Sequence, residues 1–205
     1  MMSSLTIKET FTYSIEVDKS KFIAFLFPIE NEEYFKAQLV HLKDENKGAN
    51  HFCFAYRKED IERMSDDGEP HGTAGLPLLN LLKSENLTAC ALVVVRYFGG
   101  HKLGAGRLLR TYVKAGKGVI TISEKYNQFD GIKLKAAFDY SQWEIIKGKQ
   151  VVLQDEIIIM DYNVKVEVTL LLMEERLASL IDYLGSKNFI IAQEPALILK
   201  KVEVV

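Results

Sequence analysis

Residues 86–123 read NLTACALVVVRYFGGHKLGAGRLLRTYVKAGKGVITIS, and this stretch decides the fold prediction. The apolar run CALVVV predicts a buried strand, glycines then punctuate a loop, and the periodic segment that follows predicts a helix. Glu85 and Glu124 bound 38 residues that contain no acidic side chain, although the whole chain has 28 such side chains. A strand, a glycine loop and a cationic helix in this order favour a pocket for an anion.

The helix of this stretch is expected to have a cationic face and an apolar face. At about 100° per residue, its basic side chains fall within one sector and the apolar ones fall opposite. The basic residues are Arg107, Arg110, Lys114 and Lys117, and the apolar ones are Leu109, Tyr112, Val113, Gly116 and Ile120. Glycines in the preceding GGHKLGAG would let backbone N–H groups approach an anion at the start of the helix. A solvated basic helix behind a tight turn is an equally weighted alternative, since neither GxGxxG nor a P-loop is present.

Length and composition indicate an ordinary globular chain. Its 205 residues, 48% apolar and 26% charged, suit one large or two small domains of a soluble protein. The start MMSSLTIKETFTYS lacks a secretory pattern, and no run reaches the about 18–20 apolar residues of a membrane span. Cys53 and Cys90 lie in apolar, strand-like runs, which favours buried free thiols and a cytoplasmic location.

The charge balance excludes a general nucleic-acid coat protein. The net charge is −2; residues 1–127 have 17 Lys+Arg against 16 Asp+Glu, and the remainder has 9 against 12. Any electrostatic footprint must therefore be local, and the acid-free stretch 86–123 is where it lies.

The first part of the chain predicts a mixed domain of strands and helices. Thr10–Val17 and Lys21–Phe27 predict a hairpin around the turn Asp18-Lys19-Ser20. An apolar stripe over residues 30–46 predicts a surface helix, and HFCFAY at 51–56 alternates as a third strand.

An acidic segment leads from that strand into a Leu-rich helix. The chain turns at Asp67-Gly68 and Glu69-Pro70, and the helix is expected to begin near Thr73 as its N-cap. Pro77 then falls in the first turn, where proline is tolerated. The buried residues are expected to be Leu78, Leu79, Leu81 and Leu82.

After residue 127 the pattern predicts a second domain. Alternating residues of GIKLKAAFD point inward from a strand, namely Ile132, Leu134, Ala136 and Phe138. The further expected elements are a helix at 141–149, strands Glu156–Asp161 and Asn163–Leu172 joined at Tyr162, a helix Glu174–Leu184 ended by Gly185, and a strand Phe189–Val205 broken at Pro195. The order β-α-β-β-α-β is that of the ferredoxin-like unit. We therefore predict domains 1–127 and 128–205.

The acidic segment allows several interpretations. Asp66, Asp67 and Glu69 with His71 could hold a divalent cation, but turns also collect Asp-Asp-Gly for backbone reasons. Alternatively, Asp66 or Glu69 orients Arg96 or Lys102 by charge-assisted hydrogen bonds, which leaves less cationic charge for a ligand. The histidines and Cys53 match no zinc spacing. No metal and no cofactor is predicted.

Three motifs resemble the IMPACT/YigZ family: SKFIA at 20–24, DDGEPHGTAGLPLL at 66–79 and VVVRYFGGHKLGAGRLLRTYVKAG at 93–116. The resemblance implies an α+β protein of two domains. The N-terminal domain would resemble the ribosomal-protein domain-2-like α/β sandwich, with helices on one face of a sheet. The C-terminal ferredoxin-like (βαββαβ) domain would be similar to an elongation factor G domain. Eukaryotic relatives regulate translation, and fold analogy suggests nucleic-acid binding for bacterial ones.

The resemblance also carries candidate site positions onto this chain. They are Asp66, Asp67, Glu69, Pro70, Gly72, Arg96, Gly99, Gly100, Lys102, Gly104 and Arg110. The family usually reads LGAGGL where residues 103–108 here read LGAGRL, so Arg107 replaces a glycine. If that glycine admits a ligand, Arg107 either narrows the pocket or adds a cation to it.

The leading hypothesis is an RNA- or ribosome-binding protein with a role in translation regulation. Its phosphate-binding candidates are Arg96, Gly99, Gly100, Lys102, Gly104, Arg107, Arg110 and Lys114. One alternative is an enzyme acting on a small phosphorylated or anionic substrate, and the other is a protein-binding regulator. The motif-loop candidates for the enzyme are Asp66, Asp67, Glu69, Pro70, His71, Gly72 and Thr73. No membrane partner is expected, and the oligomeric state is left open.

Overall fold

The computed structural model of the chain describes residues 4–148, 157–185 and 187–202. The chain divides into two compact units, Met1–Asn127 with Lys201–Val205, and Gln128–Lys200. Lys201 and Val202 lie with the first unit, because the Val202 N–H donates to the Lys125 carbonyl over 2.9 Å. Across the described ranges, none of the helices combines the length and hydropathy that a transmembrane span requires.

The first unit is built on a five-stranded antiparallel sheet. Its elements are β1 (Ser4–Thr6), β2 (Phe11–Val17), β3 (Ser20–Pro28), α1 (Glu32–Glu45), β4 (His51–Lys58), β5 (Ile61–Ser65), α2 (Gly75–Ser84), β6 (Cys90–Tyr97) and α3 (Ala105–Ile122). The strand order is β2-β3-β6-β4-β5. The predicted buried strand CALVVV is confirmed, since β6 is the central strand and is buried from Cys90 to Arg96.

Side chains alternate along the strands and build a core on each face of this sheet. One core, with Cys53 and Val94, packs against α2 and α3. The other, with Phe52, packs against Phe35 of α1. The expectation of helices on one face only is therefore wrong. Burial of a side chain such as Phe35 contributes about 1.5–3 kcal/mol, which is why α1 covers the second apolar face.

Two predictions about the helices need correction: the N-cap of α2 and the buried face of α3. α2 begins at Gly75 with Ala74 as N-cap, and Thr73 is not the cap because its hydroxyl donates to the Pro70 carbonyl over 2.6 Å. In α3, Leu108 is buried and the expected Leu109 is 36% exposed. The buried stripe of α3 passes through Leu108 and returns every third or fourth residue, so Leu109 lies about 100° away from it.

The second unit has the predicted ferredoxin-like order. Its elements are β7 (Tyr126–Phe138), α4 (Tyr140–Gly148), β8 (Ile157–Tyr162), β9 (Val166–Leu172), α5 (Glu174–Leu184) and β10 (Ile190–Lys201). The first two residues of β7 and the last residue of β10 are counted with the first unit. Within this unit β7 pairs with β9 and with β10, and β9 also pairs with β8. Leu134, Ala136 and Phe138 of β7 pack in one core with Trp143 and Leu180. This confirms the βαββαβ prediction.

Two details of the second unit differ from the sequence prediction. Tyr162 still belongs to β8, and residues 163–165 connect it to β9. Pro195 does not break β10, because β10 lies at the edge of the sheet order and an edge strand tolerates a residue without an N–H group. Residue 149, Glu156 and residues 203–205, which the predicted elements included, lie outside the described residues.

Gly99 packs directly against the β2–β3 hairpin. The two-residue turn Asp18-Lys19 has positive φ at both positions, 48° and 63°, as a tight hairpin requires. The Gly99 N–H donates to the Ser20 hydroxyl over 3.0 Å, and a Cβ at Gly99 would overlap the backbone of Lys19 and Ser20. Gly99 therefore fixes the loop before α3 to the hairpin.

Gly99→Ala should destabilise the protein by about 2 kcal/mol or more, since backbone atoms cannot yield as side chains do. Gly106→Ala is the matched control: Gly106 lies in the first turn of α3, and the nearest atom to an added Cβ is Arg110 Nη1 at 3.7 Å. That control should gain about 0.5–1 kcal/mol from helix propensity. Urea unfolding followed by circular dichroism measures both. Equal stability of the two variants would contradict this account of Gly99.

Candidate functional site

Asp66 holds the start of α2 from nine residues away. Its Oδ1 accepts hydrogen bonds from the N–H groups of Ala74 and Gly75 at 3.0 and 2.8 Å, and its Oδ2 accepts one from Gly72 at 2.8 Å. Burial opposes the charge of this carboxylate, but the backbone donors outweigh burial, so the pKa of Asp66 lies below its usual value. Asp66 thus supplies the cap that sequence reasoning assigned to Thr73.

Asp67 fixes the same loop to the beginning of β4. Its Oδ2 accepts from the Phe52 N–H at 2.6 Å, and its carbonyl accepts from Nδ1 of His51 at 2.8 Å. His71, by contrast, is fully exposed, with Nδ1 3.8 Å from the Asp66 carboxylate. In the described part of the chain, no group of three or more His, Cys, Asp or Glu side chains is arranged to hold a metal ion.

Glu69 forms a buried ion pair with Arg96. Its Oε1 lies 2.6 Å from Nη1 of Arg96, and the two side chains are 4% and 5% exposed. The Arg96 guanidinium also lies over two aromatic rings, 5.2 Å from the centroid of Phe22 and 5.4 Å from that of Phe98. The predicted pairing of the acidic segment with the basic stretch is confirmed for these two residues. Arg96 is therefore part of the interior.

Tyr112 and Cys53 extend this buried network, and sequence reasoning missed their polar role. The Tyr112 hydroxyl donates to Glu69 Oε1 over 2.7 Å, and the Cys53 thiol lies 2.9 Å from the Asp66 carbonyl. Burial raises the pKa of Cys53 to about 12 and also raises the pKa of Tyr112. Both groups stay protonated near neutral pH and act as hydrogen-bond donors.

A pocket of about 400 Å³ opens beside this network. Its lining residues are Asn50, His51, Glu69, Pro70, Arg96, Phe98, Lys102, Leu103, Gly104, Ala105 and Leu108. The acidic loop (residues 66–74, before α2) and the glycine loop (residues 98–104, before α3) thus border one pocket. The predicted candidates that lie outside its lining are Asp66, Asp67, His71, Gly72, Thr73, Gly99, Gly100, Arg107, Arg110 and Lys114. Asn50 lines the pocket although it was not considered as a site residue. His51 was considered only for zinc, and Phe98 lies within the motif at 93–116 without having been chosen as a site residue.

Two groups of hydrogen-bond donors near this pocket have no side-chain acceptor among the described residues. Nε of Arg96 is buried and has no hydrogen-bond partner among the described residues. α3 begins beside the pocket with Gly104 at φ 77° as N-cap, without a capping side chain and without an acid in its first turn. The first N–H groups of a helix attract anions, and a positive φ here favours glycine.

The cations of α3 differ in how they are paired. Arg107 binds Asp18 through two hydrogen bonds of 2.5 and 3.0 Å, so it is held at the hairpin turn and neither narrows the pocket nor adds a charge to it. Arg110, Lys114 and Lys117 are exposed. Within residues 4–148, 157–185 and 187–202, none of these three forms a salt bridge.

The sequence model of the Impact N-terminal domain matches residues 18–120, which include both motif loops and the pocket. The chain belongs to the IMPACT family. YvyE of Bacillus subtilis, an IMPACT family member, is 38% identical over 136 residues, which are 65% of this chain and 60% of that protein. An IMPACT family member of Haemophilus influenzae is 30% identical over 193 residues, 92% of this chain and 94% of that protein.

A solved structure shares the fold over nearly the whole chain. This crystal structure, described as that of a hypothetical protein, is 28% identical and has a TM-score of 0.63, covering 99% of this chain and 98% of its own. Membership of the IMPACT family therefore rests on the sequence comparisons, and the structural comparison supports the fold over nearly the whole chain.

Asp66→Asn should destabilise this IMPACT-family protein by about 1–2 kcal/mol at pH 7, because an amide nitrogen cannot accept from a backbone N–H. Since the folded pKa of Asp66 is lowered, its stabilising contribution is present above the unfolded value of about 3.9 and is lost as the pH falls through the folded pKa. Urea unfolding at pH 7, 5 and 3 should show the difference from wild type shrinking at pH 3. Asp60→Asn, in the exposed turn before β5, should show no such trend; a constant difference for Asp66→Asn would contradict the assignment.

A double-mutant cycle on Glu69 and Arg96 should give a coupling free energy of about 2 kcal/mol or more. Glu69→Gln and Arg96→Met each leave one buried charge without its partner, whereas the double variant leaves none. The matched control is the exposed pair of Lys36 and Glu32, which are 64% and 40% exposed and should couple much more weakly, because solvent screens the two charges. Unfolding free energies measure both cycles. Equal coupling in the two would refute the structural role of the buried pair.

Proposed function

We propose that this IMPACT-family protein binds RNA, including ribosomal RNA, in a regulatory role in translation, and that the exposed side of α3 holds the phosphates. The observation that carries the proposal is the row Arg110, Lys114 and Lys117, which follow one another at helical spacing on the exposed face. Lys102 adds a further exposed cation at the pocket. Phosphate contacts supply most of the sequence-independent affinity for nucleic acid.

Charge compensation supports this assignment. α3 has no acidic residue over its 18 positions, and Asp18 compensates only Arg107. Positive charge is therefore concentrated on one face of α3, although the net charge of the whole chain is −2. A local basic face of this kind attracts a polyanion and leaves the rest of the surface without affinity for it.

The enzyme alternative gains no support from the acidic loop. Both oxygens of Asp66 are occupied by backbone donors, and the Asp67 carboxylate accepts from Phe52. Oε1 of Glu69 is occupied by Arg96 and Tyr112. These carboxylates hold the loop in place, so a binding function fits their contacts better than acid–base catalysis does.

A protein partner is a second candidate, and it concerns the second unit. Ile158, Ile159, Ile191 and Leu197 are 52%, 57%, 53% and 48% exposed there. Exposed apolar side chains of this size favour a contact with another protein. Lys133 and Glu194 form an ion pair on the same sheet, which interrupts the apolar surface.

The test is fluorescence anisotropy with a labelled single-stranded RNA at 50 and 200 mM salt. Wild-type affinity should fall steeply with salt, and Lys102→Ala/Arg110→Ala should lower the slope of log K against log salt by about 1.4, because two phosphate contacts are lost. Lys36→Ala/Lys83→Ala is the charge-matched control, since both lysines pair with acids elsewhere on the first unit. It should leave the slope unchanged. Absence of binding at 50 mM salt, or equal slopes in all three proteins, would refute the proposal.

A further inference from the structure

The pocket beside Glu69 and Arg96 is larger and more apolar than a phosphate needs. It has a volume of about 400 Å³, within the range of pockets that bind small organic molecules. We propose that it takes one nucleotide, with the base stacked on Phe98 and the phosphate at the start of α3 beside Lys102. This inference rests on the proposed RNA-binding function and names what the pocket holds.

Phe98 supplies the stacking surface. Its side chain is 44% exposed although it borders the pocket. The Phe98 N–H donates to Asn50 Oδ1 over 2.7 Å, and the Arg96 guanidinium lies 5.4 Å from the ring centroid. The backbone of Phe98 is thus held at the pocket with a guanidinium near the ring, and an exposed aromatic ring is a typical platform for an unstacked base.

The polar groups of the pocket include acceptors, which distinguish a base from a bare phosphate. Nδ1 of His51 donates a hydrogen bond to the Asp67 carbonyl, because a carbonyl oxygen can only accept. The other ring nitrogen, Nε2, lies 3.8 Å from Oε2 of Glu69. The Glu69 carboxylate would repel a phosphate placed against it. A base edge presents both donors and acceptors, which suits a pocket lined by an acceptor side chain, Glu69, and a donor side chain, Arg96.

The phosphate is assigned to the start of α3. Gly104 and Ala105 border the pocket, and they start a helix of 18 residues whose first N–H groups meet no capping side chain. Lys102 also lines the pocket and is exposed. Backbone donors and one cation are what a nucleotide phosphate requires.

The decisive experiment titrates the full chain with AMP, GMP, CMP and UMP and, separately, with inorganic phosphate, by isothermal calorimetry. At least one nucleotide should bind about tenfold or more tightly than inorganic phosphate. Phe98→Leu should weaken nucleotide binding by about 5- to 150-fold, and Phe98→Tyr should restore it, since a phenol ring also stacks. Tyr34→Leu, which removes an aromatic ring that is 39% exposed on α1, is the matched control and should change nothing.

The same variants in the RNA assay separate this inference from the function on which it rests. If Phe98→Leu weakens both nucleotide and RNA, the pocket holds a residue of the RNA. If it weakens nucleotides while the protein fails to bind RNA, the pocket inference stands and the RNA function fails. If inorganic phosphate binds as tightly as every nucleotide, or if Phe98→Leu changes no affinity in a variant that keeps the wild-type circular dichroism spectrum, the inference is overturned. The salt slope of Lys102→Ala/Arg110→Ala then still decides the RNA function alone.

Discussion

The first unit depends most on the ion pair between Glu69 and Arg96. Burying two charges costs several kcal/mol for each, and only close partners offset that cost. Here the partners come from three elements, because Glu69 belongs to the loop before α2, Arg96 to β6 and Tyr112 to α3. The pair is therefore complete only when loop, sheet and helix are all in their native places, so it specifies one arrangement of the pocket wall.

The motif loops contain two kinds of groups: those that form internal contacts around this ion pair and those that stay exposed. Asp66 and Asp67 bind backbone N–H groups of their own chain, and Glu69 neutralises Arg96. The acids thus hold the loop before α2 in its conformation, while Lys102, Arg110, Lys114 and Lys117 are exposed to solvent.

The fold was predictable where one periodicity dominates, and the site was predictable only as a set of alternatives. CALVVV has no polar residue and became the central strand β6, and the alternation of strand and helix periods identified the ferredoxin-like unit. The N-cap of α2 was not predictable, because capping preferences are local and Asp66 reaches Gly75 across a turn with φ of 41° at Asp67. The sequence allowed Asp66 or Glu69 as partner of Arg96, and only the turn geometry decides between them.

The glycines show why a motif alone does not locate a ligand. Gly99 and Gly104 lie in one loop, yet a side chain at Gly99 would overlap the hairpin backbone, whereas Gly104 has open space around it and positive φ. Gly99 is required by packing inside the protein, and Gly104 borders the pocket. The small size of Gly99 is therefore explained by internal packing and is not evidence for a ligand. At the other end of the loop, the open space around Gly104 coincides with the start of α3, whose first N–H groups have no capping side chain.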